Sequence, residues 1–183
     1  MTSQNGSEGS LPNTWLLKTE TAELYWVNKA RRNPADFITY MTGGEKPPAK
    51  HHLKWMQAIF SERGRILIQA FPSSGKTTIL VYCLAWMIGK FPHLTHMIIS
   101  ASEEQAKQRL SEIRDLIEMP RYKNVFPHIE LDFKRPNNAT MLNVLSTVLP
   151  DGSTADYTKW RTYIQQHGEA RDHTIYAAGI TSK

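Results

Sequence analysis

Residues 72–78, Pro-Ser-Ser-Gly-Lys-Thr-Thr, bring together the groups that phosphate chemistry asks for. A polyphosphate needs several donors converging on it, and unpaired backbone N–H groups at a helix start supply them. Gly75 has no Cβ, so the backbone can turn sharply there and come close to an anion. Lys76 offers a flexible ammonium for β- and γ-phosphates, and the Thr77 hydroxyl can ligate Mg²⁺. Pro72, Ser73, Ser74 and Thr78 complete the candidate nucleotide-binding loop, with Lys76 as its catalytic cation. The strict pattern has glycine five positions before Gly75, where this chain has the small Ala70. The motif does not say which nucleotide is bound.

Such a loop has to be held between a strand and a helix. Ile66, Leu67 and Ile68 form a short apolar run that predicts a buried strand, and residues 79–88 have the length and composition of a buried helix. A second buried strand is expected at Met97-Ile98-Ile99, with Ser100, Ala101 and Ser102 at its carboxyl end, where open α/β sheets build their sites. Ser102 followed by Gln105 spells a capping box, and Ala106, Leu110, Ile113 and Ile117 give the helix it opens one apolar face. Upstream, Asn33-Pro34 starts a helix with Phe37, Ile38 and Met41 inward and Gly43-Gly44 as its stop. An amphipathic stretch precedes it at 14–32. A further helix is expected over 51–62, with Leu53, Met56, Ile59 and Phe60 on one side. Gln57 lies on that helix, where it could read adenine or simply be a solvated glutamine. His51 and His52, adjacent on a helix and about 100° apart, make a poor metal pair.

Residues 120–136 have a loop-like, basic and aromatic composition that suits either a solvated loop or a nucleic-acid surface. Residues 141–149 predict a strand, 157–165 a short helix and 174–180 a last strand. The division expected is a disordered tail over 1–13, a helical segment over 14–62 and a partial ATPase domain over 63–183. The fold class is α/β: a three-layer P-loop sandwich, incomplete, with a mainly parallel sheet and the P-loop strand at its centre.

The 183 residues are 40% hydrophobic and carry a formal charge of +5, which permits a nucleic-acid partner without requiring one. Cys83 is the single cysteine, so no intrachain disulfide framework exists and a reducing compartment is expected. The polar first ten residues do not resemble a signal peptide, and no apolar run reaches membrane-spanning length. An intracellular soluble protein is the expectation.

Hydrolysis by a P-loop enzyme needs an apolar strand ending in acids that hold Mg²⁺ and position water. Glu130 and Asp132 alternate with apolar residues, Asp115 and Glu118 lie on a helix, and residues 179–183 carry no acid. The phosphate cradle is legible and its carboxylate partner is not.

Taken in order, Pro34-Ala35-Asp36-Phe37, His51-His52 with Trp55, the 65–78 region, 97–102, Val125-Phe126-Pro127 and 176–182 resemble the amino-terminal ATPase part of a tailed-phage terminase large subunit. The resemblance spans roughly 34–183. It implies ATP and Mg²⁺ as ligands, Lys76 on phosphate, Thr77 on Mg²⁺ and Gln57 on adenine. It also implies double-stranded DNA, a small terminase subunit and a portal ring as partners, a ring of copies, no membrane, and the bacterial cytoplasm. In that family the acidic strand and a nuclease domain follow the position where this sequence stops, so a truncated or split fragment of marginal stability is expected. Pro72 and Ser73 stand where many relatives carry an arginine finger. A helicase-like ATPase and a non-catalytic remnant that needs a partner chain are the alternatives.

Overall fold

The computed structural model describes residues 14–61, 64–167 and 173–181, which form a mixed α/β chain. Four helices come first: α1 (Thr14–Arg32), α2 (Pro34–Met41), α3 (Lys50–Ile59) and α4 (Lys76–Lys90). Then follow β1 (His96–Ser102), α5 (Glu103–Glu118), α6 (Pro120–Val125), β2 (Ile129–Leu131), β3 (Met141–Leu142), β4 (Val144–Ser146), α7 (Tyr157–His167) and β5 (Ile175–Thr181). The 1–13 tail expected from sequence lies outside the described residues.

The helix punctuation works as its chemistry dictates. Asn33 Oδ1 accepts the Ala35 N–H at 2.8 Å, Pro34 takes the first turn, and Gly43 and Gly44 adopt φ of 69° and 82° just beyond the end of α2. Phe37, Ile38 and Met41 are buried as expected. Ser102 Oγ caps α5 by accepting the Gln105 N–H at 3.3 Å, but the box is not reciprocal: the Gln105 side chain instead accepts from Ser100 Oγ at 2.9 Å. Among the described side chains of α1, Val27 and Ala30 are buried, whereas Leu24, Tyr25 and Trp26 are exposed. Trp86 Nε1 donates to the Ala30 carbonyl at 2.9 Å and ties α4 to α1.

The sheet differs from the expectation. Its order is β1-β5-β3, with β1 and β5 parallel (Ile98 opposite Ala177) and β3 antiparallel to β5, while β2 and β4 form a separate antiparallel pair. It is therefore a small mixed sheet, and 141–149 breaks into two short strands. The expected P-loop strand is not formed. Residues 65–70 carry no strand structure, and Leu67 is 83% exposed. Apolar composition alone does not make a strand; its N–H and C=O groups need a neighbouring ladder, and among the described residues none pairs with this run.

Helices cover one face of the sheet. α5 packs on β1 and β5, α4 packs on α5, and α2 and α6 close the core around Phe37, Tyr122 and Phe126. Gly179 of β5 passes under the start of α5 so closely that a Cβ there would sit 2.4 Å from the Glu103 backbone nitrogen. Among the described residues nothing covers the opposite face: Met97, Ile99 and Ile180 are 63%, 61% and 75% exposed. The described chain is thus two-layered, and β1 is half-buried where the sequence suggested full burial. The 120–136 stretch holds a helix and a strand, and its Tyr122 is buried, donating to the Ala85 carbonyl at 3.0 Å. No described helix is long and apolar enough to cross a membrane.

Candidate functional site

Lys76 is the first residue of α4, and Gly75 is its N-cap with φ 81°. Ser73, two residues earlier, also has positive φ, at 61°. Left-handed residues either side of Ser74 turn the chain sharply into α4, whose first N–H groups have no acceptor within the helix. The left-handed backbone costs Gly75 nothing, and it costs Ser73 strain of the kind that collects at ligand sites. Beneath the turn, Ser74 donates its N–H to the Phe71 carbonyl at 3.4 Å.

Lys76 folds back over the loop. Its Nζ donates to the carbonyls of Ala70 at 3.1 Å and Phe71 at 3.2 Å. An ammonium has three donors and no acceptor, so both contacts are replaceable by phosphate oxygens of greater charge. The Ser74 hydroxyl is buried and has no hydrogen-bond partner among the described residues. A buried hydroxyl without a partner is uncommon and fits a loop that is completed by a ligand.

The adjacent threonines open into different cavities. Thr77 lines one of about 440 Å³ with Leu80, Ser100, Gln105 and Arg109. Thr78 lines another of about 420 Å³ with Pro47, Pro48, His52, Gly75 and Tyr82. Ser100 therefore reaches the neighbourhood of the loop from the end of β1, as the α/β site rule predicts. Its partner is Gln105, and Arg109 on the same wall is held by Glu112 and Gln108.

Gln57 is not brought to this site. It is exposed on α3 and lines a third cavity, of about 540 Å³, with Arg32, Asn33, Trp86 and Phe91. That cavity shares no lining residue with the loop. His52, one and a half turns earlier on α3, is the residue that touches the loop: its Nε2 lies 2.8 Å from the Ser74 carbonyl, and His51 Nε2 lies 3.3 Å from the same oxygen. Trp55 packs against both rings, with centroids at 5.0 and 5.2 Å. The sequence offers this His pair as a poor metal pair and, with Trp55, as part of the terminase resemblance; neither reading includes the contact with the loop. The adjacency of two aromatic donors at the start of the helix leading into the loop was the available signal.

The two acids weighed from the sequence, Glu130 and Asp132, stay apart from the loop, whereas Glu45 lines the cavity beside Thr78. Glu130 is exposed on β2, and Asp132 is buried with Oδ1 accepting the Lys134 N–H at 3.1 Å. Neither lines either cavity that touches the loop. Among the described residues no group of three or more His, Cys, Asp or Glu converges as a metal site. Cys83 is buried within α4, which pushes its thiol up to about 12 and leaves it inert. No family model matches this chain, and no curated protein matches it.

Proposed function

We propose that the chain is a nucleotide-binding P-loop module that holds ATP with Mg²⁺ through residues 72–78. The observation that carries this reading is the loop itself: a left-handed turn at the start of α4, closed by Lys76, with the Ser74 hydroxyl left without a partner among the described residues. Gly75, Lys76 and the first N–H groups of α4 would hold the phosphates, and Thr77 would ligate Mg²⁺. Mg²⁺ would neutralise phosphate charge when bound. The cavity beside Thr78 offers room for the nucleoside, walled by Tyr82, His52 and the Pro47-Pro48 connector.

The order of motifs favours the terminase large subunit over other P-loop classes. In this reading the chain belongs to the ATPase part of a motor that moves double-stranded DNA into a procapsid, working with a small subunit and a portal ring in the bacterial cytoplasm. The incomplete P-loop sandwich is part of the same proposal, with 65–70 leading into the loop without forming a strand. A second reading, a nucleotide-binding module whose carboxylates come from a partner chain, is favoured by one observation: Glu130 and Asp132 lie away from the loop.

Turnover separates the two. Phosphate release is measured with MgATP, with and without duplex DNA, on the chain and on Lys76→Ala. Lys76-dependent, DNA-stimulated release supports the motor as an autonomous ATPase. Binding without release supports a module completed by a partner.

A further inference from the structure

We infer that His52 is a positioning residue that aims the phosphate-binding loop, acting as a neutral imidazole with its proton on Nε2. This inference rests on the nucleotide-binding reading above.

Two hydrogen bonds fix the protonation state. The Ala49 N–H lies 3.1 Å from His52 Nδ1, and a backbone N–H can only donate, so Nδ1 is an acceptor. The Ser74 carbonyl lies 2.8 Å from Nε2 and can only accept, so Nε2 carries the proton. An imidazolium would lose the first bond and a ring with its proton on Nδ1 would lose both. His52 thus does locally what glutamate or glutamine does at the third position of a capped helix, accepting the N-cap N–H of α3. With its other nitrogen it reaches across to the loop.

The consequence follows from peptide geometry. The Ser74–Gly75 peptide is planar and trans, so its C=O and N–H point in opposite directions. Holding the Ser74 oxygen against α3 turns the Gly75 N–H away from α3. Positive φ at Gly75 keeps it so, and the fit is tight: a Cβ on Gly75 would lie 2.8 Å from His52 Nε2. A flipped peptide would present a carbonyl where the phosphate needs a donor. His51 Nε2 lies at the longer distance of 3.3 Å from the same oxygen.

The test compares His52→Phe, which keeps an aromatic ring but no donor, with His52→Gln, which keeps both a donor and an acceptor. MgATP affinity is measured by calorimetric titration beside the wild type and Lys76→Ala. The expected result is a tenfold or greater loss for His52→Phe and a loss under threefold for His52→Gln, with similar melting temperatures. Wild-type affinity in His52→Phe, or equal losses in both variants, overturns the inference while leaving nucleotide binding intact. In parallel, the ¹⁵N resonances of the wild-type ring are read. A protonated-type Nε2 with an unprotonated-type Nδ1 supports the assignment, and the reverse pattern or an imidazolium overturns it, whether or not nucleotide binds or the variants fold.

Discussion

Lys76 Nζ donates to the carbonyl oxygen of Ala70 at 3.1 Å, so the loop closes on its own lysine. Ala70 stands where the strict pattern has glycine, and it takes part through its backbone, to which the extra methyl group is irrelevant. The departure from the formula therefore leaves the bond intact. Phosphate would replace neutral carbonyl acceptors with charged ones, which are roughly twice as strong.

Gln57→Ala is expected to change MgATP affinity by less than about twofold, because Gln57 lines a cavity that shares no residue with the loop. Such a change is under about 0.4 kcal/mol by the affinity relation. Equilibrium titration checks it, and a tenfold loss would restore glutamine as the adenine reader.

Gly89→Ala is expected to destabilise the fold. A Cβ at Gly89 would lie 2.3 Å from the Phe126 ring, which is buried against Tyr122 and Phe37 and has nowhere to move. Overpacking of this kind costs about 1–3 kcal/mol, against about 1 kcal/mol gained from helix propensity. Chemical denaturation should show a lower midpoint; a raised one would mean α4 and α6 separate easily.

Stability is expected to fall as pH drops from 6.5 toward 4. Burial pushes His96 down to about 4 from an ordinary 6.5. In that window the unfolded chain takes a proton that the folded chain refuses, so stability is full above 6.5 and is lost on acidification. The loss reaches up to about 3 kcal/mol at one pKa unit per 1.36 kcal/mol. Burial lowers His128 in the same direction. His96→Val should flatten the melting-temperature profile across this range, and an unchanged slope would mean that His96 is solvated.

The bare sheet face should make the chain self-associate. Met97, Ile99 and Ile180 form an exposed apolar surface, and the 65–71 run adds Leu67 and Phe71. Ile99→Thr with Ile180→Thr should reduce light scattering at constant melting temperature, since neither side chain contributes much to the core. Scattering unchanged by the pair would place the sticky surface elsewhere.

Local chemistry was legible in the sequence because it depends on neighbours in the chain. Asn33 at its cap, Ser102 at its cap, Gly75 at a left-handed turn and the inward face of α5 all obey rules that span a few residues. The strand expected at Ile66-Leu67-Ile68 is not formed because a ladder needs a partner that the run's own composition cannot reveal. The helix over 120–125 was hidden by Pro120, which suits a first helical turn as well as a loop. His52 was missed because its partner is 22 residues away and is a backbone carbonyl, which no side-chain motif can specify. Gln57 was linked to adenine by analogy of position; about one and a half turns of α3 beyond His52, it lines a different cavity.

The most direct test is MgATP affinity measured by titration on the wild-type chain and on Lys76→Ala, with melting temperatures taken on both. Among the described residues the Lys76 ammonium contacts two loop carbonyls, so the variant should keep its fold. Measurable binding that falls at least tenfold in Lys76→Ala, about 1.4 kcal/mol, is the result expected. Binding that is absent in the wild type, or equal in the two proteins, would contradict a nucleotide site at residues 72–78.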